Sequence, residues 1–475
     1  MTDAELKELE KSIERIWDIA KGFGLDPYPV YFEVVPAAIM YEFGAYGLPG
    51  RFSHWTHGRA YHQIKTQYDY GLSKIYELVI NTNPAYAFLM DGNSLLQNKL
   101  VAAHVLAHVD FFKHNAYFAK TNRQMIEGAS VNAERIRKYE FDHGRDEVER
   151  FLDAVLSIQE HVDPWKEMGA GYVKRPVTEA QPKATRTPER PTTPYDDLLE
   201  LGEEKREAPA VTLPRRIPEE PEKDILLFLA EHAPDLEDWQ RDVLLIVRSE
   251  MLYFIPQMQT KIMNEGWASY WHARIMRELG LDENEYIQFA HMHSGVLAPS
   301  KQSMNPYHVG FKMLEDIERR WDNPSQRERE ELGRPGGEGR AKIFEVRETE
   351  NDASFIRNYL TQELVDELDL YIYKVEGDEL KVVEKDYRKI RDMILSSMTN
   401  FGSPYIVVED GDYHRSRELY LKHHFEGQEI DIDYAEKTLR HVYHLWRRPV
   451  HLQTVLSDKP VMLSYDGERN TRRPL

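Results

Sequence analysis

His104-Val105-Leu106-Ala107-His108 sets two histidines one helical turn apart. Residues at i and i+4 share a face of an α-helix, so both imidazoles can reach one metal ion. Glu265, in Asn264-Glu265-Gly266-Trp267-Ala268-Ser269-Tyr270-Trp271-His272, is the candidate third ligand. Two imidazoles and a carboxylate leave a fourth position open, the layout a catalytic zinc needs. The histidine pair alone fits two core residues bonded to neighbours equally well. The carboxylate tips the reading, because burying it unpaired among Trp267, Tyr270 and Trp271 costs several kcal/mol or forces it to protonate. Valine occupies 105, where His-Glu-x-x-His enzymes carry their general base.

Working outward, residues 75–81 are rich in β-formers, and Tyr86-Ala87-Phe88-Leu89-Met90 follows a turn at Asn83-Pro84. Ser94 with Gln97 is a capping box. The spacing of Leu95, Leu96, Leu100, Val101, His104 and His108 predicts a helix from that cap, with Asn115 on the same face. A strand feeding a metal-bearing helix is the zincin arrangement. His272, seven residues after Glu265, returns to its face and is a candidate to back a ligand or face substrate. Glu127, Glu134 and His272 are the candidates for the base that 105 lacks. The two glutamates share a face of a helix expected over 124–139. Tyr270 and Tyr307 are candidates to steady an oxyanion. His54, His57 and His62 lie in an aromatic segment and either position substrate or pack. Asp110 is a candidate partner for a histidine, although an ideal helix points it away from the His104 face.

At 475 residues, the chain has room for two or three domains. With 61 basic and 81 acidic residues its formal charge is −20, which argues against nucleic acid or an anionic membrane as partner. Cysteine is absent, so any metal must be held by histidine, carboxylate or amide. No segment approaches the ~20 apolar residues that span a bilayer. No signal-type apolar core opens the chain, so a cytoplasmic protein is expected.

The expected fold is α+β: a mostly helical, zincin-like metal-binding domain with a small sheet, plus a C-terminal α+β module. The first comprises 1–163 and 222–333. Between its halves, 164–221 is a proline-rich insert that cannot bury enough apolar surface to order itself. A glycine–proline cluster at 334–339 precedes the second unit, 342–475, for which docking is the natural role. His423, His424, His441 and His444 in that unit read as core or surface residues rather than ligands.

Longer blocks carry a resemblance. Ala20-Lys21-Gly22-Phe23-Gly24-Leu25-Asp26, Phe43-Gly44-Ala45-Tyr46-Gly47, Arg51-Phe52-Ser53-His54-Trp55, residues 71–81, residues 104–112, Asn264 to Ala268 and Asn305-Pro306-Tyr307-His308-Val309-Gly310 resemble the SpoVR family, stage V sporulation protein R. The resemblance implies a link to formation of the spore cortex, a peptidoglycan layer, or to a stress response. It implies as partners an AAA+ serine kinase and a von Willebrand A-domain protein. Glu265 to Tyr270 also resembles the third-ligand motif of a group of bacterial zinc peptidases. The leading expectation is therefore a zinc-dependent hydrolase-like enzyme acting on an amide bond in a peptide or peptidoglycan-related substrate. The alternative is a non-catalytic metal-binding regulator or scaffold working with the kinase complex, in which Val105→Glu would restore a missing base. A di-metal bundle using Glu127, Glu134 and His272 is a third reading. Catalysis requires an open cleft beside the trio, whereas Trp267 and Trp271 closing over it would mean a structural site.

Overall fold

Ala85–Met90 is the central strand of a three-stranded sheet, flanked in parallel by Val30–Val35 and antiparallel by Glu77–Ile80. The structure, a computed structural model, describes residues 1–70, 77–167, 216–299, 304–376 and 379–475. Of the strand expected over 75–81, residues 75 and 76 lie outside the described residues and Glu77–Ile80 is a strand. Of the proline-rich insert read over 164–221, residues 168–215 lie outside the described residues, and Pro164–Glu167 at its start is a short helix. Ser94 and Gln97 close the capping box reciprocally, and helix Leu95–His114 starts there as the spacing predicts. One face of that helix, Val101, Val105 and Val109, packs on Ala85, Ala87 and Leu89 of the strand. The alternating alanines Ala85 and Ala87 of the strand leave room for the valines of the helix.

The opposite face meets helix Lys261–Glu278, which also lies against Pro306–Asp322. Two helices, Asp238–Gln259 and Lys261–Glu278, meet at Thr260. Pro256 cannot donate a backbone hydrogen bond, and Thr260 turns its hydroxyl onto the Pro256 carbonyl at 2.7 Å. Helix Asp238–Gln259 therefore ends, and Lys261–Glu278 starts anew after the non-helical Thr260. Its exposed first amides are captured from afar: Asp352 accepts from Ile262 N at 2.8 Å and Met263 N at 2.9 Å.

The packing divides the chain differently from the expected 342–475 module. Ile343, Val346, Phe355, Ile356 and Ile390 share one core with Leu106, Trp267 and Trp271. A second core joins Phe151, Phe228 and Val247 to Val408, Leu421 and Leu463. The glycine–proline cluster is a tight turn rather than a hinge between domains. Gly337 N bonds the Asp322 carbonyl at 3.0 Å and Gly339 N its side chain at 2.8 Å. The segment after it therefore folds back onto the His104 helix. The five-stranded sheet runs in the order Asn470–Pro474, Lys459–Tyr465, Val450–Leu456, Glu418–His423 and Ile406–Tyr413. Its one parallel pair, Glu418–His423 with Val450–Leu456, is bridged by helix Ile432–Trp446. Among the described residues no helix is long and apolar enough to cross a membrane.

Candidate metal centre

His104, His108 and Glu265 converge, with their ligand atoms all within 4.8 Å of one another. Glu265 Oε2 lies 3.6 Å from His104 Nε2 and 3.5 Å from His108 Nε2. Those separations are too long for hydrogen bonds. They match two ligand edges of a tetrahedron, which are about 3.4 Å for donors roughly 2.1 Å from an ion. His104 Nε2 and Glu265 Oε2 are buried without a hydrogen-bond partner, a state that proteins rarely leave uncompensated. Burial would raise the Glu265 pKa, but the two imidazoles beside it outweigh burial and hold the carboxyl well below its ordinary value. The residues present fit a divalent ion. Among the described residues no other trio of histidines and carboxylates converges in this way.

The second nitrogen of each imidazole is also engaged. His108 Nδ1 donates to Asn264 Oδ1 at 2.8 Å, which leaves Nε2 free of a proton and able to coordinate an ion. His104 Nδ1 lies 2.8 Å from His272 Nδ1, and His272 Nε2 lies 2.9 Å from His293 Nδ1. Burial is the chief reason that His272 stays far below its ordinary pKa and His293 falls to about 4, so both imidazoles are neutral near pH 7. Neither Asn264 nor His293 was given a role by the sequence. Asn264 was legible as the neighbour of Glu265 on a helix facing two histidines; nothing local marks His293.

Other expected roles move. His272 has both nitrogens committed within the chain of imidazoles, so it backs a ligand and is not a base. Glu127 and Glu134 stay exposed on helix Met125–His143, whose buried residues Met125, Ala129, Ala133 and Ile136 face other cores. They are solvated carboxylates, and the di-metal bundle loses its donors. Tyr270 is buried against the Arg274 guanidinium, 3.5 Å from its ring centroid, and burial pushes its phenol far above the ordinary value. It does not serve an oxyanion. Tyr307 does stand at the site, stacked on His104 with centroids 6.1 Å apart. Asp110 binds Arg347 at 2.8 Å and Trp267 Nε1 at 3.0 Å, tying two helices rather than orienting a ligand. Asn115 caps its helix and donates to the Arg347 carbonyl at 2.7 Å. His54 and His57 are buried, and His54 caps helix Trp55–Asp69.

A cleft of about 720 Å³ opens beside His104, with Leu100, His272, Met292, Val296 and Tyr307 among its lining. Trp267 and Trp271 do not close it. They pack inward with Phe344 between the helices. Among the described lining residues none is a carboxylate. A second cavity, about 480 Å³, lies by the five-stranded sheet and includes His161, His423 and His424. His423 there bonds Thr454 at 2.9 Å, so it reads as a core residue.

The pattern described as SpoVR like protein matches residues 3–403, and that of the SpoVR-like C-terminal domain matches 404–457. The chain belongs to the SpoVR family. It is 30% identical over 495 aligned residues to the protein of Escherichia coli (strain K12) described as "Uncharacterized protein YcgB", covering 98% of this chain and 93% of that one. No solved structure matches. The SpoVR boundary at 403/404 falls just before strand Ile406–Tyr413, where the five-stranded sheet begins.

Proposed function

We propose that this SpoVR protein holds one zinc ion through His104, His108 and Glu265 and acts at it as a hydrolase on an amide bond. The convergence of two buried histidines and a partly buried glutamate, with His104 Nε2 and Glu265 Oε2 left without hydrogen-bond partners, supports the metal. When bound, zinc supplies Lewis acidity and lowers the pKa of a coordinated water toward ~7. The chain's own contribution is geometric. Asn264 and His272 fix the two imidazoles, the apolar cleft wall excludes water from one side, and Tyr307 offers a phenol hydroxyl to a carbonyl oxygen.

A second reading is favoured by two observations: no carboxylate lines the described cleft, and Val105 is committed to the core. On this reading the chain is a metal-bearing regulator or scaffold that works through partners such as an AAA+ serine kinase and a von Willebrand A-domain protein. Metal analysis of protein purified without chelator, followed by assays of the zinc-loaded protein on peptides and peptidoglycan-derived amides, separates the readings. Cleavage lost in His108→Ala supports the hydrolase. Stoichiometric zinc without cleavage leaves the regulator. Absence of bound metal overturns both.

A further inference from the structure

We propose that His293 couples the metal site to the cleft wall: occupancy of the His104–His108–Glu265 site reverses the polarity of the His104–His272–His293 chain and clamps helix Glu283–Val296. The inference rests on reading that trio as a metal site. It starts from the two short nitrogen–nitrogen contacts, 2.8 and 2.9 Å, that run unbroken from a ligand to a helix supplying no ligand. That helix is one wall of the cleft, through His291, Met292, Ser294, Gly295 and Val296.

The wall helix has few other attachments. Phe289 is its one buried residue among those described, while Tyr286 and Ile287 are 47% and 68% exposed. Lys99 reaches Glu285 at 3.1 Å, and Asn305 donates to the Val296 carbonyl at 3.0 Å. An element with so little buried apolar surface opens at low cost, so each buried polar bond weighs heavily in its order. The His272–His293 bond is the one that reaches the metal site.

The proton positions follow from the donor rules for neutral imidazole. Without an ion, the Glu265 carboxylate favours a proton on His104 Nε2. His104 Nδ1 then accepts from His272 Nδ1–H, and His272 Nε2 accepts from His293 Nδ1–H. A ligand nitrogen must be bare, so with an ion His104 carries its proton on Nδ1 and donates to His272 Nδ1. His272 Nε2–H then donates to His293 Nδ1, and His293 is protonated on Nε2. In the change, one proton leaves His104 Nε2 and one passes from His272 to His104. Another passes from His293 to His272, and one is taken up at His293 Nε2. Every imidazole stays neutral and the count balances. A ligand imidazole is a polarised donor, and a donor chain running away from it strengthens each bond in turn. The wall is therefore held more tightly when the site is filled.

Hydrogen–deuterium exchange with and without zinc, alongside zinc stoichiometry, tests this in the wild type and in His293→Phe. Zinc is expected to slow exchange over 283–296 by about tenfold in the wild type. The variant is expected to bind zinc equally but to lose that slowing. Nitrogen-15 NMR of histidine-labelled wild type gives a readout that needs no variant: His293 should move its proton from Nδ1 to Nε2 when zinc is added. Equal slowing in the variant, no slowing in the zinc-loaded wild type, or an unchanged His293 tautomer overturns the coupling. Failure of the wild type to bind zinc instead removes the metal reading, and the coupling with it.

Discussion

A β-carbon on Gly266 would fall 2.5 Å from the Cα of Gly310. The two glycines mark the point where helices Lys261–Glu278 and Pro306–Asp322 touch backbone to backbone, one residue from Glu265. Gly266→Ala would gain up to about 1 kcal/mol of helix propensity. Overpacking costs roughly 1–3 kcal/mol and dominates here, because the obstructing atoms are backbone and cannot rotate away. Denaturant unfolding should show a net loss of stability, and the displaced Glu265 should retain less zinc. Wild-type values for both would mean that the helices separate freely.

Val105→Glu is the substitution that the sequence offers as a rescue of hydrolysis. The structure reverses that expectation. Val105 is fully buried against the strand, on the side of the helix facing away from Glu265. A carboxylate there would be buried without a partner, at a cost of several kcal/mol or a strongly raised pKa. Thermal unfolding should report a large destabilisation with no new amidase activity. A stable variant that hydrolyses amides would refute the placement.

His104→Ala and Glu265→Gln should each abolish stoichiometric zinc, measured by elemental analysis. Zinc at about 100 times its Kd should stabilise the wild type by about 2.7 kcal/mol, an effect absent from both variants. Calorimetry with and without chelator checks this.

Asp352 gives a pH prediction. Burial is the main reason that its pKa is raised from 3.8 to about 7, against the backbone amides it caps. The folded state therefore holds a proton that the unfolded state releases. This group's contribution to stability is complete below about pH 4 and is lost as pH rises through about 7. Unfolding free energies across pH 4–8 should fall less steeply with pH in Asp352→Asn than in the wild type. Identical slopes would show that Asp352 does not titrate there.

Much of the local structure was legible. The capping box at Ser94, the strand before it and the His104/His108 face all follow from short-range pattern. The convergence of Glu265 on the two histidines was legible too, because a glutamate among tryptophans requires a distant partner. Val30–Val35 carries little signal of its own, because Glu33 interrupts its apolar residues and Pro29 and Pro36 flank it. Its strand character comes from pairing with Ala85–Met90.

By itself the sequence determined which residue types could hold an ion, that no thiolate could, and where individual helices begin, since caps and i, i+4 spacing act within one or two turns. Only tertiary structure decided what stands behind and around those residues. His272 became the partner of His104, His293 the end of a chain, Glu127 and Glu134 bystanders, and Val105 part of the sheet-facing core. The reason is physical. A helix presents several faces, and the face a residue uses is set by which neighbouring element buries it, here the strand Ala85–Met90 on one side and Lys261–Glu278 on the other.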